Sequence, residues 1–157
     1  MPRNYKSTAV LQRPDPKFNS MLATKIINKI MLSGKKSVAQ KVFYEALDLA
    51  SKKLPDVEQE EIFTTAIENA KPAVEVRSKR VGGANYQIPR EVKRARQQAL
   101  AIRWVIDNSR KKKGKPMCER LAEELVDAYN GTGASVQWKE NVHKMADANK
   151  AYAHFGR

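Results

Sequence analysis

A chain of 157 residues at 41% hydrophobic content holds one domain's worth of core, and 30 Lys+Arg against 17 Asp+Glu leave a formal charge of +13, which opposes compaction and attracts polyanions. No apolar run approaches the roughly 18 residues that span a bilayer, and the first residues lack the hydrophobic segment of a secretory signal, so a reducing compartment is expected. The single cysteine, Cys118, excludes an internal disulfide, and with His143 and His154 it makes a poor zinc set, because structural sites take four closely organised ligands.

Residues 1–18 carry Arg3, Lys6, Arg13 and Lys17 among Pro2, Pro14 and Pro16. With little periodicity to build a helix, they read as a flexible basic extension ahead of a body at 19–149. Asn19 or Ser20 can cap a first helix running towards Gly34, with Ala23, Ile26, Ile27, Ile30 and Met31 on one side and Lys25 and Lys29 on the other. Those lysines face solvent or RNA. Lys35 and Lys36 follow, and Ser37 with Gln40 forms a capping box for a second helix through Val38, Val42, Ala46 and Leu49 to about Lys53. Pro55 stops the chain and Asp56 with Gln59 restarts it as a third helix. Its Ile62, Phe63, Ala66, Ile67 and Ala70 face inward until Pro72 ends it.

The stretch 73–89 then reads as one β-hairpin studded with cations. Gly82 and Gly83 supply the positive φ that a tight turn demands. With those two as the loop, Val81 faces Ala84, Lys79 faces Tyr86 and Arg77 faces Ile88, while Ser78/Gln87 and Arg80/Asn85 occupy the reverse face. Neither face is apolar enough to be core, and a lone two-stranded ribbon is marginal in water. Its tip is therefore expected to project, offering guanidinium, ammonium and a phenol ring to a polyanion, a combination that suits nucleic acid. The bland alternative is a structural ribbon whose charges only protect an edge.

Beyond Pro89 a long helix is predicted to about Arg110, with Ala95, Ala99, Ile102, Val105 and Ile106 along one stripe. Arg96, Arg103 and Arg110 return to nearly one azimuth at seven-residue spacing, with Lys93 at the edge of the band, a row able to track a phosphate ridge. Arg110, Lys111, Lys112, Lys113 and Lys115 make a cationic helix end and turn. Pro116 opens a fifth helix that buries Leu121, Ala122, Leu125, Val126 and Tyr129 before 130–133 ends it. Ala134 or Ser135 starts a sixth helix with Trp138, Val142 and Met145 aligned, trailing into a tail at 150–157. The fold class is mainly α: a six-helix single domain with one protruding β-hairpin, a basic extension and a tail.

Catalytic chemistry finds little support. His143 has no nearby carboxylate and nucleophile to complete a triad, Gly131-x-Gly133 lacks the rest of a dinucleotide fingerprint, and no phosphate-binding loop occurs. No cofactor is expected. Cys118 sits near a helix N-terminus beside lysines, a setting that favours thiolate, although a packed structural thiol is the commoner state. Trp104 and Trp138 can either stack bases or, as is commoner, pack in the core.

PDPKFNS at 14–20, INKIMLSGKKS at 27–37, KPAVEVRSKRVGGANYQIP at 71–89, ALAIRW at 99–104 and VHKMADANKAYAHF at 142–155 together resemble one family, the seventh protein of the small ribosomal subunit in its bacterial or organellar form. The likeness covers nearly the whole chain. It implies a non-enzymatic structural protein with a six-helix body and a protruding ribbon, on a cytoplasmic or organellar ribosome. It further implies binding of 16S rRNA in the 3′ major domain early in assembly, nucleation of the subunit head, proximity to exit-site tRNA and mRNA, and contact with small-subunit proteins nine and eleven.

The rRNA-binding set expected on these grounds is Arg3, Lys6, Arg13, Lys17, Lys25, Lys29, Lys35, Lys36, Arg77, Lys79, Lys93, Arg94, Arg96, Arg103, Arg110, Lys111, Lys112, Lys113 and Lys115. The tip residues Arg80, Val81, Gly82, Gly83, Ala84, Asn85 and Tyr86 are expected near tRNA or mRNA, and Lys150, Tyr152 and Phe155 of the tail against protein or tRNA. The chain departs from the family pattern at Lys93, Arg94, Arg96 and Gln97, and at Gln137 and Trp138, which stand where lysines are usual. A free-standing nucleic-acid chaperone or DNA-binding protein is the alternative, and RNA modification through Cys118 or His143 a weaker one.

Overall fold

The computed structural model describes residues 11–156. In chain order it runs α1 (Met21–Ile30), α2 (Lys36–Lys53), α3 (Gln59–Ala70), β1 (Val74–Val81), β2 (Ala84–Glu91), α4 (Arg94–Lys111), α5 (Met117–Tyr129), α6 (Ala134–Ala148) and a terminal 3-10 helix (Lys150–Gly156). The helices enclose one core, and the two strands form an antiparallel ribbon beside it. Helix α5 packs against α2, α3 and α4, which makes it the central element. Its Leu121, Ala122, Leu125 and Ala128 are all buried. Around it lie Ile26 and Ile27 of α1, Phe43 and Leu47 of α2, Ile62, Phe63 and Ile67 of α3, and Val105 and Ile106 of α4.

The ribbon pairs as its residues demand: Val81 opposes Ala84, Lys79 opposes Tyr86 and Arg77 opposes Ile88. Gly82 and Gly83 take φ of 57° and 88°, the region two-residue hairpin loops need and side chains with a Cβ resist. The burial of Ile88, only 1% exposed, corrects the expectation that neither ribbon face is core. Helix α6 packs on both strands and the 3-10 helix on β2, supplying the apolar cover that two strands alone lack.

Three helix faces differ from the spacing argument. In α2 the bulky Phe43 and Leu47, with Ala39, Ala46 and Ala50, define the buried side, leaving Val38 56% exposed. In α4 the buried side is Leu100, Ala101, Ile102, Val105 and Ile106, whereas Ala95 and Ala99 are exposed, because a methyl group gains little by burial and the larger side chains set the rotation. In α6 Val142 is buried as expected, but Trp138 and Met145 are each 44% exposed. Ser135 is buried instead, hydrogen-bonded to Glu124.

Capping differs as well. Ser37 lies inside α2, which starts at Lys36 with no side-chain cap, and α3 follows Glu58 rather than Asp56. Helix α1 ends at Ile30, ahead of a turn in which Ser33 and Gly34 have φ of 52° and 73°.

The segment expected to be an extension is held to the body well before residue 19. Asp15 is buried and accepts hydrogen bonds from Tyr44 Oη at 2.7 Å and from the backbone N–H groups of Lys17 and Phe18. Phe18 meets Phe43, Phe63 and Tyr44 with ring centroids 5.7–6.4 Å apart. Burial, then the hydrogen bond to Asp15 and its negative charge, push the Tyr44 phenol from 10.0 up to about 12. The folded state thus holds this proton more tightly than the unfolded chain, so the stabilisation is complete below pH 10 and is lost between pH 10 and 12. Urea midpoints followed over that window should fall more steeply for the parent protein than for Tyr44→Phe. Parallel curves would show the phenol to be uncoupled from folding.

Candidate nucleic-acid interface

Cations surround α1. A shallow groove of about 270 Å³ between α1 and α4 is walled by Lys25, Lys29 and Arg103 over a floor of Ala95, Ala99 and Ile102. The short side chains of Ala95 and Ala99 leave the space that forms it. Lys25 Nζ donates to Gln98 Oε1 at 2.6 Å, which orients an exposed ammonium without neutralising it. A second groove, about 480 Å³, joins Arg13 and Lys36 across Asn28 and Met31. A third, about 510 Å³, lies between the α1–α2 loop and α5, with Lys35, Arg110 and Arg120 around an apolar floor that includes Val38, Val42 and Met117. Lys93 and Arg94 are exposed at the start of α4, and Lys113 in the turn after it.

Many other cations in the expected set are engaged within the protein. Arg110, on the same azimuth as Arg103, donates from Nη2 to the carbonyls of Ile30 at 3.0 Å and Lys29 at 3.3 Å, closing the C-terminus of α1. Arg120, which sequence reasoning passed over, does the same for α4 through the carbonyls of Arg110 and Lys112. Arg96 Nε reaches Glu75 Oε2 at 2.7 Å, and Arg77 Nε reaches Oε1 of the same carboxylate at 2.8 Å. Burial opposes charge on Glu75, but the hydrogen bonds from Arg96 and Arg77 prevail and hold its carboxyl below the usual range. The row Arg96, Arg103, Arg110 is therefore not one uniform ridge. Arg103 is the member presented over the α1–α4 groove, Arg96 ties the ribbon to α4, and Arg110 caps a helix.

Lys112 is bound to the buried Glu124 at 3.0 Å and to Asp127 at 3.5 Å, and Lys115 pairs with Glu123. Lys29 sits 3.8 Å from Asp107. Lys17 lies 3.6 Å from Asp48 and 5.2 Å from the ring centroids of Phe18 and Tyr44. Lys111 Nζ lies 5.4 Å from the Trp138 ring centroid. Arg3 and Lys6 lie outside the described residues.

The ribbon is partly roofed. Tyr86 packs against Tyr152 and Phe155 with centroids 5.1 and 5.3 Å apart, and Lys79 Nζ donates to the Phe155 carbonyl at 2.9 Å. The expected exposed phenol is thus a half-buried ring, since three aromatic side chains lose more by hydration than by clustering. What the tip presents is Arg80, Gly82, Gly83, Ala84 and Asn85, all exposed, with open space around both glycines. Lys150, just ahead of the tail aromatics in sequence, is exposed.

Neither weaker chemical candidate gains a site. His143 Nε2 accepts a hydrogen bond from the Ala73 N–H at 3.1 Å and links α6 to the start of the ribbon. Cys118 is half-buried against the core. No helix among the described residues is long and apolar enough to cross a membrane.

Comparison with known proteins places the sequence in a family. Residues 2–150 match the family model described as ribosomal protein S7p/S5e. The chain is 52% identical over 157 residues to the small ribosomal subunit protein uS7 of Roseiflexus castenholzii, covering 100% of this chain and 99% of that one. It is 56% identical over 144 residues to the protein of the same name from Chloroflexus aggregans, covering 92% and 91%. For that of Symbiobacterium thermophilum the identity is 53% over 155 residues, covering 99% of each. With its sequence matched almost end to end and its cations carried by a helical body and a glycine-turned ribbon, this chain belongs to the ribosomal protein S7p/S5e family, whose members are structural and not enzymes.

Proposed function

We propose that the protein is a primary 16S rRNA-binding constituent of the small ribosomal subunit, which folds the 3′ major domain and so nucleates the subunit head. The observation that carries this reading is the set Lys25, Lys35, Lys36, Lys93, Arg94 and Arg103. All six are exposed, and none pairs with a carboxylate among the described residues, whereas Lys112, Lys115, Arg77 and Arg96 do. Six open cations, four of them along the grooves around α1 and two at the start of α4, are an electrostatic footprint for a folded phosphate backbone. A-form RNA hides its base edges in a narrow major groove, so such a surface reads shape, 2′-hydroxyls and looped-out bases more than sequence. In this reading the exposed tip around Arg80 and Asn85 reaches exit-site tRNA and mRNA, and the aromatic tail stands by proteins nine and eleven.

A tagged copy is expected to co-sediment with small subunits in a gradient. Engagement of about eight phosphates would give the isolated complex a log–log salt slope of roughly −6 to −7. Recovery of the chain only in free fractions, or a flat salt response, would overturn the proposal.

A further inference from the structure

Helix α6, which lines none of the cationic grooves around α1, turns a second kind of surface outward. At 3.6 residues per turn, Gln137, Trp138, Asn141, Lys144 and Met145 fall within an arc of about 120°, and all five are exposed. Glu140 and Asp147, the carboxylates of the outer half of this helix, fall outside that arc. Trp138 and Met145, two turns apart, are each 44% exposed. Lys111 of α4 reaches across to place its ammonium 5.4 Å from the indole centroid. An indole exposed to that degree is unusual for a side chain that gains so much from burial, and here nothing in the fold covers the remainder among the described residues.

The chemistry of the stripe selects its partner. An indole face stacks any nucleobase, the amides of Gln137 and Asn141 match donors and acceptors on base edges, and Lys111 and Lys144 supply the cations that flanking phosphates require. A protein interface would place a larger apolar patch at its centre and would be poor in lysine. We infer that the outer face of α6 is a platform for an unpaired RNA segment, with one base stacked on Trp138 and an adjoining phosphate on Lys111. The inference rests on the rRNA-binding reading above and adds a single-stranded contact to the backbone contacts around α1.

Trp104→Phe leaves Trp138 as the only indole, and acrylamide quenching then reports its exposure in the full-length protein. Quenching should drop when 16S rRNA alone is added. In the parent background, Trp138→Ala should weaken rRNA binding about tenfold, while Trp138→Phe, which keeps a stacking ring, should stay close to the parent. Unchanged affinity of Trp138→Ala, with the indole still open to acrylamide in a complex that demonstrably forms, would overturn the platform. So would shielding that arises only when other small-subunit proteins are added, since that outcome makes the stripe a protein interface. Absence of any complex with the parent chain would instead defeat the rRNA-binding reading, and this inference with it.

Discussion

Substituting Lys25, Lys35, Lys36 and Arg103 together by Ala is expected to lower 16S rRNA affinity by a factor on the order of 10³ near 0.1 M salt, and to flatten the salt slope by about three. These four are exposed and lie along the grooves around α1. Each phosphate they neutralise releases condensed counterions, so loss of four contacts appears in the slope as well as in the affinity. Filter binding across 50–200 mM salt, with thermal unfolding of the same proteins, makes the check. Arg110→Ala is the informative contrast. Its guanidinium holds the α1 carbonyls of Lys29 and Ile30, so its removal should lower stability and leave the slope nearly unchanged. A quadruple variant with the parent slope would show that RNA docks elsewhere.

Removing the carboxylate of Glu124 should have the largest effect on stability of any single change here. Glu124 is fully buried. Its Oε1 accepts from the Ser135 backbone N–H at 2.9 Å and from the Ser135 hydroxyl at 2.6 Å, while Lys112 approaches its other oxygen at 3.0 Å. One side chain of α5 thus closes the start of α6 and the end of α4. Glu124→Ala would leave the buried Ser135 N–H and hydroxyl without their acceptor and leave Lys112 with Asp127 alone, a change that costs about 3–5 kcal/mol. For a domain of this size that is a fall in Tm of roughly 10–15 °C. Glu124→Gln, which keeps an acceptor but not the charge, should fall between. The exposed pair Lys115–Glu123 is a fair control, because solvent screens it and its loss should shift Tm by only a degree or two. Equal melting of Glu124→Ala and parent would mean that water replaces the carboxylate without loss.

The same site accounts for the turn between α5 and α6. Gly133 has φ of 94°, and a Cβ built there would stand 2.9 Å from the Asp127 Cβ. The backbone must come that close to bring Ser135 onto Glu124. Spacing alone marks 130–133 as a helix end but does not reveal that the turn is bent towards a buried acid.

What sequence by itself determined was local or strongly periodic. Register in the ribbon followed from Gly82-Gly83, since a two-residue loop needs positive φ at both positions and pairing then propagates outward. The inner face of α3, and Leu121, Ala122 and Leu125 of α5 though not the half-buried Val126 and Tyr129, followed from runs such as Ile62, Phe63, Ala66 and Ile67, where large apolar side chains recur at helical spacing. Motifs spread over the chain sufficed for the family. Tertiary structure alone decided which cations are open. Arg103 and Arg110 are indistinguishable by azimuth, yet the carbonyls that occupy Arg110 lie some 80 residues earlier. The acid that holds Arg96 lies 21 residues away on the ribbon, and the rings that cover Tyr86 come from the tail. Periodicity reports which side of a helix leaves water. It carries no information on which carbonyl or carboxylate the fold brings to a given guanidinium, and that pairing separates a cation that holds the protein together from one left for RNA.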